Sequence, residues 1–176
     1  MNQKLVRTPG LYLAGFMASG KTTIARLLAD ELGWQFADLD QDIESEQRIK
    51  ISEIFEKLGE KEFRRIESEA LKKCVKLVQR GRPHVVALGG GAYTQEANIE
   101  MLRDNGATIW LDCPLETVMR RLKGCQDRPL ARDPAEIEAL YRSRRAAYSR
   151  ADFQVTVESD DPTATVAAIL DLPLLR

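Results

Sequence analysis

The chain has 176 residues, 44% hydrophobic and 30% charged, with a formal net charge of −1, so no global charge favours nucleic acid or an anionic membrane as a partner. No apolar run approaches the ~20 residues of a membrane span, and Met1 to Arg7 lacks the apolar core of a signal peptide. Three widely spaced cysteines, Cys74, Cys113 and Cys125, predict reduced thiols in a cytoplasmic protein, and one histidine, His84, leaves almost no material for zinc or Ser–His–Asp chemistry.

Gly10 to Ala14 is a short apolar run that reads as a buried parallel strand. Gly15-Phe16-Met17-Ala18-Ser19-Gly20-Lys21-Thr22 follows, with four residues between its glycines and then Lys and Thr. This is the phosphate-loop spacing: glycine lets backbone N–H groups curl round a polyphosphate, Lys21 reaches the β/γ-phosphates and the Thr22 hydroxyl ligates Mg²⁺. Ile24, Leu27, Leu28 and Leu32 then recur at helical spacing and Gly33 supplies a stop. Strand, loop and helix arrive in the order a nucleotide-phosphate site requires.

Trp34 to Ala37 leads into Asp38-Leu39-Asp40, read as a second strand ending in two carboxylates on one face. The competing reading has Asp40 capping a helix that begins near Gln41. Residues 41 to 58 predict short helices, broken by Gly59, and Glu60 to Arg80 a longer one with Phe63, Ile66, Ala70, Cys74 and Leu77 in a stripe. Arg64 and Glu67 stand three apart on its flank, either as a surface ion pair or as a functional arginine with its partner. His84 to Leu88 predicts a third buried strand whose end, Gly89-Gly90-Gly91, leaves bare backbone for close approach of a ligand.

A helix over Gln95 to Asn105 and a strand over Ala107 to Leu111 follow, ending at Asp112. Asp112 resembles a magnesium-binding aspartate, but Pro114 stands two residues on, so we read it as capping the helix of Leu115, Val118, Met119 and Leu122. Arg120 to Arg150 holds eight arginines. Within it, Gly124 to Pro134 reads as a flap, and Arg144 falls within the apolar stripe of Ile137, Leu140, Tyr141 and Tyr148, where it needs a buried partner or an anionic ligand. Arg142 and Arg150 read as solvated. A strand over Phe153 to Val157 and a helix over Thr163 to Leu170 close the chain. Strands alternating with crossover helices give a single α/β/α sandwich spanning 1–176.

Taken together, Gly15 to Thr22, Asp38 with Asp40, Gly59-Glu60-Lys61-Glu62-Phe63-Arg64-Arg65-Ile66-Glu67, Gly89-Gly90-Gly91, Arg128-Pro129-Leu130, and Arg144 four residues before Tyr148 resemble the motif set of the shikimate kinase family, in order and over nearly the whole chain. The resemblance implies a P-loop kinase with a five-stranded parallel sheet of order 2-3-1-4-5, acceptor-binding helices over about 41–80 and a mobile lid over about 123–136. It implies transfer of the ATP γ-phosphoryl group to the 3-hydroxyl of shikimate, in aromatic amino acid biosynthesis; a kinase for another small hydroxylated acid such as gluconate is the alternative. By the same carry-over, Lys21, Asp40 and Arg128 are catalytic. Ala18, Ser19, Gly20, Lys21, Thr22, Thr23, Arg121, Arg128 and Pro162 hold ATP, and Asp40, Arg64, Gly89, Gly90, Gly91 and Arg144 hold shikimate. Thr22 binds Mg²⁺, with Asp38 through water. The implied enzyme is a cytoplasmic monomer without nucleic-acid or membrane partners. Ala18 departs from the family's usual glycine and Ala131 from a common leucine. A regulatory GTPase would need an Asn-Lys-x-Asp guanine reader, which the chain lacks.

Overall fold

The computed structural model describes residues 10–123 and 133–175. The first strand, β1 (Gly10–Ala14), is buried at every position, as a central strand of a parallel sheet covered on both faces must be. Its neighbours are β3 (His84–Ala87) and β4 (Ala107–Asp112), with β2 (Gln35–Asp38) and β5 (Phe153–Thr156) at the edges. The order is β2-β3-β1-β4-β5, all pairs parallel. Exposure follows position: β3 is buried throughout, whereas β2 and β5 each leave residues exposed. Leu11, Leu13, Val85, Val86, Ile109 and Leu111 are fully buried, each large side chain contributing about 1.5–3 kcal/mol of apolar transfer energy.

Helix α1 (Lys21–Leu32) follows the phosphate loop and ends at Gly33, whose φ of 65° lets its N–H reach back to the carbonyls of Ala29 and Asp30. Helices α2 (Leu39–Gln47) and α3 (Ile51–Gln79) come next. Gly59 breaks α3 as expected, with a φ of 81° and ψ of 168°. The short 3₁₀ turn Ala92–Thr94 leads to α4 (Glu96–Arg103), and α5 (Leu115–Leu122), α6 (Pro134–Tyr148) and α7 (Pro162–Leu170) complete the set.

Two local expectations are corrected. The second strand stops at Asp38 rather than carrying both carboxylates. Asp38 has extended backbone and its side chain accepts from the Gln41 N–H at 3.1 Å, so it is the N-cap of α2, and Asp40 is a first-turn helical residue. Asp112 does not cap α5. Pro114 occupies the cap position without a side-chain bond, while Asp112, still in β4, is engaged by Arg145 and Gln154.

The sheet order reverses direction at β1, whose neighbours β3 and β4 carry the chain to opposite sides. The carboxyl ends of β1 and β3 lie side by side there, Leu13 opposite Ala87, and the Leu88 N–H donates to the Leu13 carbonyl. Open α/β sheets bind ligands at this switch point.

Candidate active site

The phosphate loop crosses that edge. Gly15 has a φ of 151° and a Cβ there would lie 2.8 Å from the Leu111 carbonyl oxygen; Gly20, with φ 92°, turns the chain into α1. Ala18 also takes a positive φ, 59°, a left-handed conformation that glycine would adopt without the side-chain cost. Ser19 is fully buried. The Lys21 ammonium donates to the carbonyls of Gly15 and Phe16, both at 2.8 Å, so it lies along the rim of this turn. The Thr22 hydroxyl donates to the Asp38 carboxylate, which ties the start of α1 to the start of α2.

Ala18 to Thr22 and Asp38 line a cavity of about 450 Å³ with Thr23, Asp40, Gly90, Arg121, Asp160 and Pro162. Arg121, from α5, donates to the Ala18 carbonyl at 2.9 Å and to Asp160 at 2.9 Å. Asp160 also accepts from Arg120, and the two guanidiniums hold its carboxyl down at about 2. Pro162 is the first residue of α7, capped by Asp161. Sequence reasoning passed over Asp160; its signal was a carboxylate within Ser159-Asp160-Asp161-Pro162, distant in sequence from any arginine.

The second half of the site is built on the glycine triplet. A Cβ on Gly89 would lie 2.7 Å from Glu67 Oε2 and 2.8 Å from Asp40 Oδ1. One on Gly90 would lie 3.2 Å from Arg144 Nη1, and one on Gly91 would collide with the Arg64 guanidinium. Each glycine therefore makes room for a different charged side chain, which explains three in a row. Glu67 accepts from Arg64 Nη1 at 2.8 Å and is only 1% exposed. Burial pushes its carboxyl up, while the Arg64 charge and hydrogen bond oppose the rise. Arg64 Nε is buried without a hydrogen-bond partner among the described residues.

Arg144 is buried as its helical stripe predicted, 5.7 Å from the Phe16 ring centroid. Four residues on, the Tyr148 hydroxyl donates to the Gly90 carbonyl, and burial pushes that phenol up to about 12. Asn98, fully buried, donates to the Ala92 carbonyl at 2.9 Å and accepts from Ser68 at 2.7 Å, so the turn after the triplet is tied to the Arg64 helix. No pattern in the sequence marked Asn98. Arg64 and Arg144 also border a neighbouring cleft of about 510 Å³ with Glu60, Thr94 and Arg150, while Gly90, where a Cβ would lie 3.2 Å from Arg144 Nη1, lines the phosphate-loop cavity. Arg142 pairs with Glu138, and Arg150 with Glu96, on the surface. Arg128, Ala131 and most of the expected lid lie outside the described residues.

The family model of shikimate kinase matches residues 17–172. The chain belongs to the shikimate kinase family. Among its relatives, the shikimate kinase of Persephonella marina (strain DSM 14350 / EX-H1) is 41% identical over 161 residues, 91% of this chain and 96% of the relative. That of Synechococcus elongatus is 42% identical over 166 residues, 92% of this chain and 85% of the relative. The shikimate kinase fold is equally clear in three dimensions. The structure of shikimate kinase from Acinetobacter baumannii in complex with shikimate superposes with a TM-score of 0.87 at 32% identity, covering 94% of this chain and 93% of that one. A sugar kinase from Janibacter sp. HTCC2649, at 18% identity and TM-score 0.60, shares the fold alone.

Proposed function

We infer that this protein is an ATP-dependent kinase that phosphorylates the 3-hydroxyl of shikimate, giving shikimate 3-phosphate and ADP in aromatic amino acid (chorismate) biosynthesis. Besides family membership, one observation carries the reading. A phosphate cradle shares its cavity with Asp40 and Gly90, and the triplet that includes Gly90 is backed by two arginines, Arg64 and Arg144. A cradle beside a carboxylate, one buried arginine and one half-buried arginine suits a polyphosphate donor and a hydroxylated acid acceptor.

In this reading the amides of Ala18 to Thr23 hold the ATP phosphates, and Arg121 and Pro162 flank the adenine. Arg64 and Arg144 grip the acceptor's carboxylate, and Gly89 to Gly91 let its ring approach the backbone. Asp40 orients the acceptor hydroxyl. As the new O–P bond forms and the bond to the ADP bridging oxygen breaks, the hydroxyl proton passes to Asp40. Lys21 and Arg128 stabilise charge on the moving group. Positioning and electrostatics supply most of the acceleration, since phosphoryl transfer asks for little covalent help.

The residues present fit Mg²⁺. The Thr22 hydroxyl donates its hydrogen bond to Asp38 and so keeps its lone pairs for a hard cation. Among the described residues no group of three or more His, Cys, Asp or Glu side chains could hold a metal by itself, and Mg²⁺ is usually held by few protein oxygens plus phosphates and water. Thr22 would bind it directly and Asp38 through water. When bound, it neutralises charge on the β- and γ-phosphate oxygens.

We propose further that residues 1–176 act as one kinase domain, with 41–80 as the acceptor-binding helices, working as a monomer in the cytoplasm without nucleic-acid or membrane partners. Leu58 is the exposed large hydrophobic residue among those described, Cys74 and Cys113 are buried free thiols, and no described helix is long and apolar enough to cross a membrane. The deciding measurement is ADP release from Mg-ATP with shikimate, with gluconate and with neither. Strong stimulation by shikimate alone is expected; stimulation by gluconate alone would replace the acceptor.

A further inference from the structure

Helix α6 carries two adjacent arginines with opposite surroundings. Arg144 is buried against Phe16 and Gly90. Arg145, ~100° further round the helix, turns to the end of β4 and lines neither recess of the site. Its Nη1 donates to Asp112 Oδ1 at 2.6 Å and its Nη2 to Oδ2 at 3.0 Å, a two-point contact whose planes must align. The guanidinium carbon lies 4.7 Å from the Trp110 ring centroid and 5.3 Å from that of Tyr141. Nη1 also donates to the Tyr141 hydroxyl at 2.8 Å, and that hydroxyl donates to the Cys113 carbonyl at 2.9 Å. Gln154, on β5, holds Asp112 from the other side at 2.8 Å.

The buried Ile137 and Tyr148 and the Tyr148–Gly90 bond seat α6 along one face, and a single surface ion pair would add little to that. A forked contact stacked beside two rings, with a second tether through Tyr141, narrows the remaining rotation from the end of β4. That rotation matters because Arg144 is the next residue. A turn of about 20° moves a side-chain tip ~6 Å from the axis by about 2 Å. Misplacement of about 1 Å can already cost ~10²-fold in rate. We propose that Arg145 is a positioning residue for the acceptor: clamped to Asp112, it sets the rotation of α6 and hence the direction from which Arg144 meets the substrate carboxylate. This rests on the assignment of Arg144 to the acceptor made above.

The test is calorimetric titration with shikimate and steady-state kinetics for both substrates, in wild type, Arg145→Met, Asp112→Asn, Arg144→Met and the double variant Arg144→Met/Arg145→Met, each with a melting curve. Arg145→Met and Asp112→Asn should each weaken shikimate binding and raise its KM by about tenfold, with the KM for ATP within about twofold of wild type. The double variant should bind shikimate no more weakly than Arg144→Met, because Arg145 acts through Arg144. Asp112→Asn, an isostere, carries the test if Arg145→Met does not fold. Variants that melt earlier yet bind shikimate like wild type would reduce the clamp to a structural pair and overturn the proposal, as would additive losses in the double variant. Undiminished binding by Arg144→Met would overturn the assignment of Arg144 itself and the proposal with it, a result visible without touching Arg145.

Discussion

The Tyr148 hydroxyl donates to the Gly90 carbonyl at 2.5 Å, joining the helix that carries Arg144 to the backbone of the glycine triplet. The two residues are 58 positions apart in sequence. Their bond fixes the distance between the helix of Arg144, proposed above for the acceptor, and the strand end it faces. Tyr148→Phe keeps the ring against Trp110, 6.1 Å between centroids, and removes only the bond. We expect a loss of about 1 kcal/mol in stability and a rise in shikimate KM that exceeds any change for ATP. Denaturant unfolding and two-substrate kinetics check both parts.

Gly91 has an ordinary φ of −100°, so alanine there strains no backbone. Its Cβ would instead strike the Arg64 guanidinium. Gly91→Ala should therefore raise the shikimate KM by about tenfold or more while the ATP KM and the melting temperature stay close to wild type. Unchanged kinetics would mean that Arg64 can yield without consequence.

Lys21→Met and Asp40→Asn should each lower kcat by about 10²- to 10⁴-fold without loss of fold, as followed by circular dichroism. Near-normal turnover in Asp40→Asn would remove Asp40 as the proton acceptor. Full activity in Lys21→Met would remove Lys21 from the transferring phosphate.

The buried Glu67 carboxyl gives a pH prediction with a definite sign. Burial raises it above its ordinary 4.5 in the folded protein, only partly offset by Arg64. The folded state then binds more protons than the unfolded one between the two values. The associated stability is present below about 4.5 and lost as pH rises through the folded value. Glu67→Gln should thus compare more favourably with wild type at pH 7 than at pH 4 in matched unfolding curves. The opposite order would mean that Arg64 outweighs burial.

Much of this architecture could be read from the chain because buried parallel strands are continuous apolar runs: the runs Gly10 to Ala14, His84 to Leu88 and Ala107 to Leu111 each hold a strand, the second one residue shorter than expected. Arg144 was legible for a related reason, since a charge inside an apolar helical stripe has nowhere else to go. Strand order was not legible from periodicity and came only from the family resemblance. Asp40 was misread as a strand residue because the chain turns at Asp38, which both ends β2 and caps α2 through the Gln41 N–H, and that bond leaves no mark in the local pattern. Asp112 was misread because Pro114 is two residues away and Arg145 thirty-three. Local grammar saw the first and could not see the second. Arg64 stayed undecided for the same reason: its burial depends on a glycine twenty-seven positions on.

Asp38 spends one oxygen on the Gln41 amide and the other on the Thr22 hydroxyl. Few other side chains can do both. Asparagine would cap the helix but present an N–H to Thr22, turning the hydroxyl's lone pairs inward, and serine is too short to span the gap. A library selected only for thermal resistance and one selected only for turnover should therefore converge on the same amino acid at this codon, leaving drift almost no route through it.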